Sequence, residues 1–261
     1  KTILVTPRIG TKSIYFLSLL LIVISSNLYP ISGQTSDSII SSPKPGKIDA
    51  AVAHKNGYVY FFSGNKYIKW KPRKGVVKTK TGRIRRTVGK DGWNIIKTSF
   101  KDSLDAIFNR KGELYFLKGA NYLYYIKDKL GPRHNEYRLG SGNAYWVVRY
   151  LEPHFSEDLD ASFTHPDNNR IYFFKGSKYF AFKPNAFGIT RSKVGYIGKD
   201  GWKSLPTFFQ SDIDAALVHP TNKKIYFFKD DKYCVWQPGK GILKPAIRTR
   251  GVDGWKGVKF D

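Results

Sequence analysis

The chain has one cysteine, Cys234, and no methionine. A lone thiol cannot form an intrachain disulfide, so no covalent staple is available to this fold. Cys234 lies between Tyr233 and Val235 in an apolar stretch and reads as a buried, inert thiol, with an intermolecular partner as the other option. The lack of methionine leaves open a start upstream of Lys1. Catalytic signatures are missing too: there is no His-Glu-x-x-His, no Gly-x-Ser-x-Gly and no phosphate loop. Long hydrophobic runs are scarce. The run Ile14–Ile24 has eleven residues, against the roughly 20 needed to span a bilayer.

Acidic residues are also few, 20 against 45 Lys and Arg. The net charge is +25, or +22 without Lys1, Arg8 and Lys12. Those three cations flank Ile14–Ile24, and small polar residues follow it. That order suits a secretory signal peptide over 1–33, with an uncleaved anchor as the alternative. Residues 34–47 are rich in Ser, Pro and Gly and lack an apolar period. They read as a flexible tether.

What the chain has in abundance is repetition. Ile48-Asp49-Ala50 leads to Tyr60-Phe61-Phe62, and Leu104-Asp105-Ala106 to Leu114-Tyr115-Phe116. Leu159-Asp160-Ala161 leads to Tyr172-Phe173-Phe174, and Ile213-Asp214-Ala215 to Tyr226-Phe227-Phe228. The aspartates are 56, 55 and 54 residues apart. A fixed period of that size means units stacked on a shared core. Each unit reads as a strand, a polar turn, an aromatic strand, a tight turn, a third strand and a basic stretch holding an outer strand. Each closes on a tryptophan: Trp93, Trp146, Trp202 or Trp255. Four such antiparallel meanders predict an all-β, four-bladed β-propeller, with blades 48–103, 104–158, 159–212 and 213–261. Without a disulfide, the ring must close by packing of the first blade on the fourth.

These motifs, with Asp91-Gly92-Trp93, Asp200-Gly201-Trp202 and Asp253-Gly254-Trp255, resemble the hemopexin-like repeat over residues 48–261. The second unit departs from the pattern, with Gly142-Asn143-Ala144-Tyr145-Trp146. The resemblance implies that Asp49, Asp105, Asp160 and Asp214 present main-chain carbonyls to a calcium-type (or sodium) ion in a central channel. A second ring at Ala51, Ile107, Ser162 and Ala216 would hold a further ion, with chloride another candidate. The competing reading is that the Asp side chains cap backbone groups around a channel of water. The haem-carrying members use two propellers, which argues against haem in a chain with one. The seed albumins that resemble this repeat suggest a small-ligand carrier, of haem or a polyamine, although a strongly cationic ring suits a polyamine poorly. The matrix metalloproteinases suggest an accessory fragment whose catalytic domain lies elsewhere.

The remaining signal is electrostatic. Lys71, Arg73, Lys74, Lys78, Lys80, Arg83, Arg85 and Arg86 fall in a stretch, 69–90, without Asp or Glu. Alternation around Val76-Val77 and Ile84 predicts an outer strand of blade one that gathers several of these cations on one surface. Such a field attracts polyanions; a soluble face protecting a strand edge is the plainer reading. The expected partners are sulfated glycans or acidic proteins, with no specific nucleic acid and no membrane span. His54, His165 and His219 each stand five residues after their aspartate. They read as turn residues on one rim, a metal or haem site being the sharper alternative. The sequence thus predicts a secreted, extracellular, non-catalytic binding module.

Overall fold

In a computed structural model the described residues are 46–94, 96–126, 129–130, 137–139, 151–185, 188–191 and 193–260. All lie in one compact unit, 41–261. The expected signal segment 1–33, residues 34–45 of the tether and the stretch 142–146 with Trp146 fall outside them.

Four antiparallel sheets follow one another along the chain. The first holds β1 (Ala50–Ala53), β2 (Val59–Ser63), β3 (Lys66–Lys71), β4 (Gly75–Val76) and β5 (Arg85–Thr87). The second holds β6 (Ala106–Arg110), β7 (Glu113–Lys118), β8 (Asn121–Ile126), β9 (Lys129–Leu130) and β10 (Tyr137–Arg138). The third holds β11 (Ala161–Thr164), β12 (Ile171–Lys175), β13 (Lys178–Asn185), β14 (Gly188–Arg191) and β15 (Gly195–Tyr196). The fourth holds β16 (Ala215–Val218), β17 (Ile225–Lys229), β18 (Lys232–Gln237), β19 (Gly241–Ile242) and β20 (Arg248–Thr249). In each sheet the first three strands form a meander, and two separate pieces share the outer edge of the third strand. The single outer strand expected from the sequence is therefore split in two. The inner strands β1, β6, β11 and β16 touch one another in cyclic order, so the four blades close a propeller ring.

The aromatic motif explains how the ring holds. In β2, Val59 and Phe61 pack in the core shared with blade four, while Tyr60 and Phe62 pack in the core shared with blade two. Side chains of a strand alternate between faces, and both faces of a propeller blade are buried. A Phe-Phe pair therefore serves two seams at once. The same division holds in β7, where Tyr115 and Leu117 face blade three and Leu114 and Phe116 face blade one. Each fully buried large side chain contributes about 1.5–3 kcal/mol.

In blades one, three and four the Asp-Gly-Trp motif fixes the end of the blade against its own outer strand. Asp91, Asp200 and Asp253 accept the backbone N–H of Thr87, Tyr196 and Thr249 at 2.7, 2.8 and 2.6 Å. The glycine is required by close approach: a Cβ on Gly201 or Gly254 would meet the hydroxyl of Tyr179 or Tyr233 at 2.2 or 2.4 Å. Trp202 then packs edge-on to Tyr172 of its own blade (5.1 Å) and to Phe227 and Trp236 of the next (5.4 and 4.9 Å). Across the closing seam Trp255 packs edge-on to Tyr226 (5.0 Å) and to Phe61 of blade one (5.2 Å), and tilted against Trp70 (4.6 Å). Cys234 is fully buried, as expected of an inert thiol.

The end of the tether also clasps the ring. The Gly46 carbonyl accepts a hydrogen bond from the buried Arg250 guanidinium of blade four. Lys47 is ion-paired with Asp214 of the same blade at 3.3 Å. The tether assignment of 34–47 thus ran two residues too far, because composition does not report a partner some two hundred residues away.

Candidate functional site

Each inner strand is preceded by its aspartate. The carboxylates of Asp49, Asp105, Asp160 and Asp214 accept the N–H of Gly64, Gly119, Gly176 and Asp230 at 2.5–2.6 Å. Those donors open the turns between the second and third strands, where φ is +50° to +55°. Glycine adopts that conformation freely, and Asp230 adopts it in blade four. The side chains therefore do cap backbone groups.

The main chain is oriented by the register. In blade three the turn Gly176–Ser177 closes on the pair Lys175 and Lys178, which in a two-residue hairpin exchanges both hydrogen bonds. Counting by twos, Phe173 bonds outward to β13 and Phe174 bonds inward to Ala161. The N–H and C=O of Ser162 are left on the free edge, which faces the other inner strands. The Phe174 carbonyl also accepts the Asp160 N–H at 2.9 Å, a bulge with two residues opposite one. Because the Ala161 N–H points into the sheet, the Asp160 carbonyl across the same trans peptide points out of it. The same register recurs in the other blades, with Asp49, Asp105 and Asp214 donating to Phe62, Leu117 and Phe228. Asp49, Asp105, Asp160 and Asp214, and then Ala51, Ile107, Ser162 and Ala216, each have a carbonyl on the free edge. Such oxygens suit a hard cation. Among the described residues no three His, Cys, Asp or Glu side chains converge as a metal cage. The Ser162 hydroxyl is buried without a partner.

Electrostatics sharpen this acidic mouth. Burial pushes Asp105 and Asp160 up to about 6 and raises Asp49 and Asp214 as well. A cation on the axis would relieve all four. Burial works against the Lys47 ammonium, yet Asp214, then Asp49 and Asp160, hold its pKa above the ordinary lysine value.

At the other end the inner strands run into His54, His165 and His219. A cavity of about 360 Å³ opens there, lined by these three with Asn109, Lys55 and Lys223 among others. Each imidazole Nδ1 accepts a backbone N–H: Asn56 for His54 (3.3 Å), Asp167 for His165 (3.2 Å), Thr221 and Asn222 for His219 (both 3.2 Å). That is the turn-residue role expected from the sequence. Burial, helped by Lys223, lowers His219 to about 4. Its unfolded value is near 6.5, so its contribution to stability is complete above pH 6.5 and falls away as pH drops toward 4. The stability advantage of wild type over His219→Asn should shrink over that window by up to about 1.4 kcal/mol per pH unit. Denaturant titrations at pH 7.5 and 4.5 measure it; an advantage that does not change with pH would refute it.

The basic run of blade one is rearranged relative to expectation. Past the end of β3 at Lys71, only Gly75–Val76 and Arg85–Thr87 are strand, so alternation does not line the cations up. Arg86 is buried, with its guanidinium 6.0 Å from the Tyr67 ring. Arg83 is paired with Asp91 at 2.8 Å, a carboxylate just past the acid-free stretch that Arg83 holds below its usual range. Lys71 lies 5.1 Å from the Tyr58 ring and is half-buried, as is Arg85. Arg73, Lys74, Lys78 and Lys80 are exposed.

The Hemopexin family profile matches residues 48–77 and 159–198. The chain carries hemopexin-like repeats. Albumin-2 of Lathyrus sativus is 26% identical over 223 residues, covering 83% of this chain and 97% of that protein. The solved structure of the hemopexin fold protein CP4 from cow pea superposes with a TM-score of 0.62 at 25% identity, over 80% of this chain and 96% of its own. Interstitial collagenase of Equus caballus is 30% identical over 160 residues, 60% of this chain. That match spans only 30% of the enzyme's length.

Proposed function

We propose that this hemopexin-like propeller is a secreted, non-catalytic binding module. It holds a calcium-type or sodium ion on its axis and engages anionic extracellular partners, sulfated glycans or acidic proteins, through the exposed cations of blade one. The observation that carries the reading is the fourfold bulge at the aspartates, whose register leaves a carbonyl of each on the free inner edge. Asp49, Asp105, Asp160 and Asp214 would hold the ion through those oxygens, with the second ring behind. The ion supplies positive charge among four carboxylates, and so couples the blades.

Calcium should raise the melting temperature and chelator should lower it. A ligand of the folded state stabilises by about 2.7 kcal/mol at a hundredfold excess over Kd. Asp105→Asn should weaken the calcium effect without abolishing it, because the ligand is main chain. Calorimetric scans of both proteins with calcium and with chelator test this. A wild type indifferent to calcium, sodium and chelator would overturn the axial site.

A second reading, the carrier of a small ligand, is favoured by the 360 Å³ cavity at the histidine mouth, a volume within the usual range for small-molecule sites. The Nδ1 atoms there are engaged by turn backbone, which counts against haem ligation through that nitrogen.

A further inference from the structure

The acidic mouth already has one cation beside it, supplied by the chain. Lys47 Nζ is 3.3 Å from Asp214 Oδ1 and within the field of Asp49 and Asp160. Its backbone is pinned next door, where Arg250 holds the Gly46 carbonyl. The ammonium is thus delivered to the mouth from a fixed point, not from a free tail. The Lys47 side chain is partly exposed while the Asp214 side chain is largely covered, so water screens this charge incompletely.

We propose that Lys47 sets the charge selectivity of the axial ion site, favouring a monovalent cation over a divalent one. The proposal rests on the cation reading above and adds a residue that the two carbonyl rings do not contain. The physical basis is that Coulomb energy scales with the product of the charges. A fixed positive charge near the axis opposes a divalent ion twice as strongly, in free energy, as a monovalent ion at the same place. In affinities, whatever factor Lys47 costs sodium, it costs calcium the square of that factor. A plug that merely had to swing aside would instead cost both ions the same factor. Removing the ammonium while keeping the stem should therefore shift selectivity, and by unequal amounts.

The test uses the whole chain, wild type and Lys47→Gln, titrated with calcium chloride and separately with sodium chloride. Ionic strength is held constant with tetramethylammonium chloride, and the readouts are calorimetric heats and melting temperature. Lys47→Gln should bind sodium about threefold and calcium about tenfold more tightly than wild type. Lys47→Arg should behave as wild type. Lys199→Gln removes one exposed charge from blade three and should change neither affinity. Melting of each variant in the absence of both ions confirms that it is folded. If calcium binds wild type and Lys47→Gln equally, Lys47 plays no part and the axial site stands without it. Equal gains for both ions would mean a steric plug and refute charge selectivity. If neither protein binds either ion, the cation reading itself fails and this proposal falls with it.

Discussion

Trp255→Ala is expected to cost about 3–5 kcal/mol, the range for truncating a buried Trp. Trp255 spans the seam between blades four and one, against Phe61 and Trp70 on one side and Tyr226 on the other. No disulfide backs up that seam, since Cys234 is the only cysteine. For a folded unit of this size the loss corresponds to a fall of roughly 10 °C in Tm. Guanidinium titration with intrinsic fluorescence and calorimetry would measure it. A cost below about 1 kcal/mol would mean that the closing seam does not depend on this side chain, and that the clasp at Gly46 and Lys47 carries the closure.

The second large effect concerns polyanion binding. If the exposed cations of blade one form the site, affinity for a sulfated glycan such as heparin should fall linearly on a log–log plot against salt. Each neutralised charge releases roughly one counterion. Replacing Lys74, Lys78 and Lys80 with Ser should reduce the slope by about three units and weaken binding at low salt by more than tenfold. These residues are chosen over Arg83 and Arg86 because the first is paired with Asp91 and the second is buried. The control removes equal charge from exposed positions of blade four: Lys223, Lys240 and Lys256. Equal losses in the two triple variants would leave only general basicity and sink the localised site.

The contrast between Lys74 and Arg86 shows where a linear reading stops. Both belong to one basic run, and composition treats them alike. Arg86 is covered because its backbone pairs with Tyr67 in β3 and its guanidinium lies over that ring. Arg83 finds Asp91 eight residues on because the turn between them brings Thr87 and Asp91 together. Neither pairing leaves a period in the sequence. Lys47 was hidden in the same way, in a Ser-, Pro- and Gly-rich stretch, because its partner Asp214 sits on the last blade.

What the sequence determined by itself was everything that repeats. The aspartate spacing, the Phe-Phe strands and the Asp-Gly-Trp closures specify four blades, because a sheet buried on both faces needs successive apolar side chains wherever it recurs. Trp202 and Trp255 accordingly stand in equivalent places at two seams. The direction of the inner carbonyls came from the resemblance alone, since a peptide group has no letter in the sequence. Tertiary structure decided that direction through the two-residue turns and the bulge at each aspartate. It also decided which positive charges face water and which face rings, carboxylates or the axis. Those outcomes depend on residues from different blades meeting across a seam, and the distance between such residues is set by ring closure, not by the order of the chain.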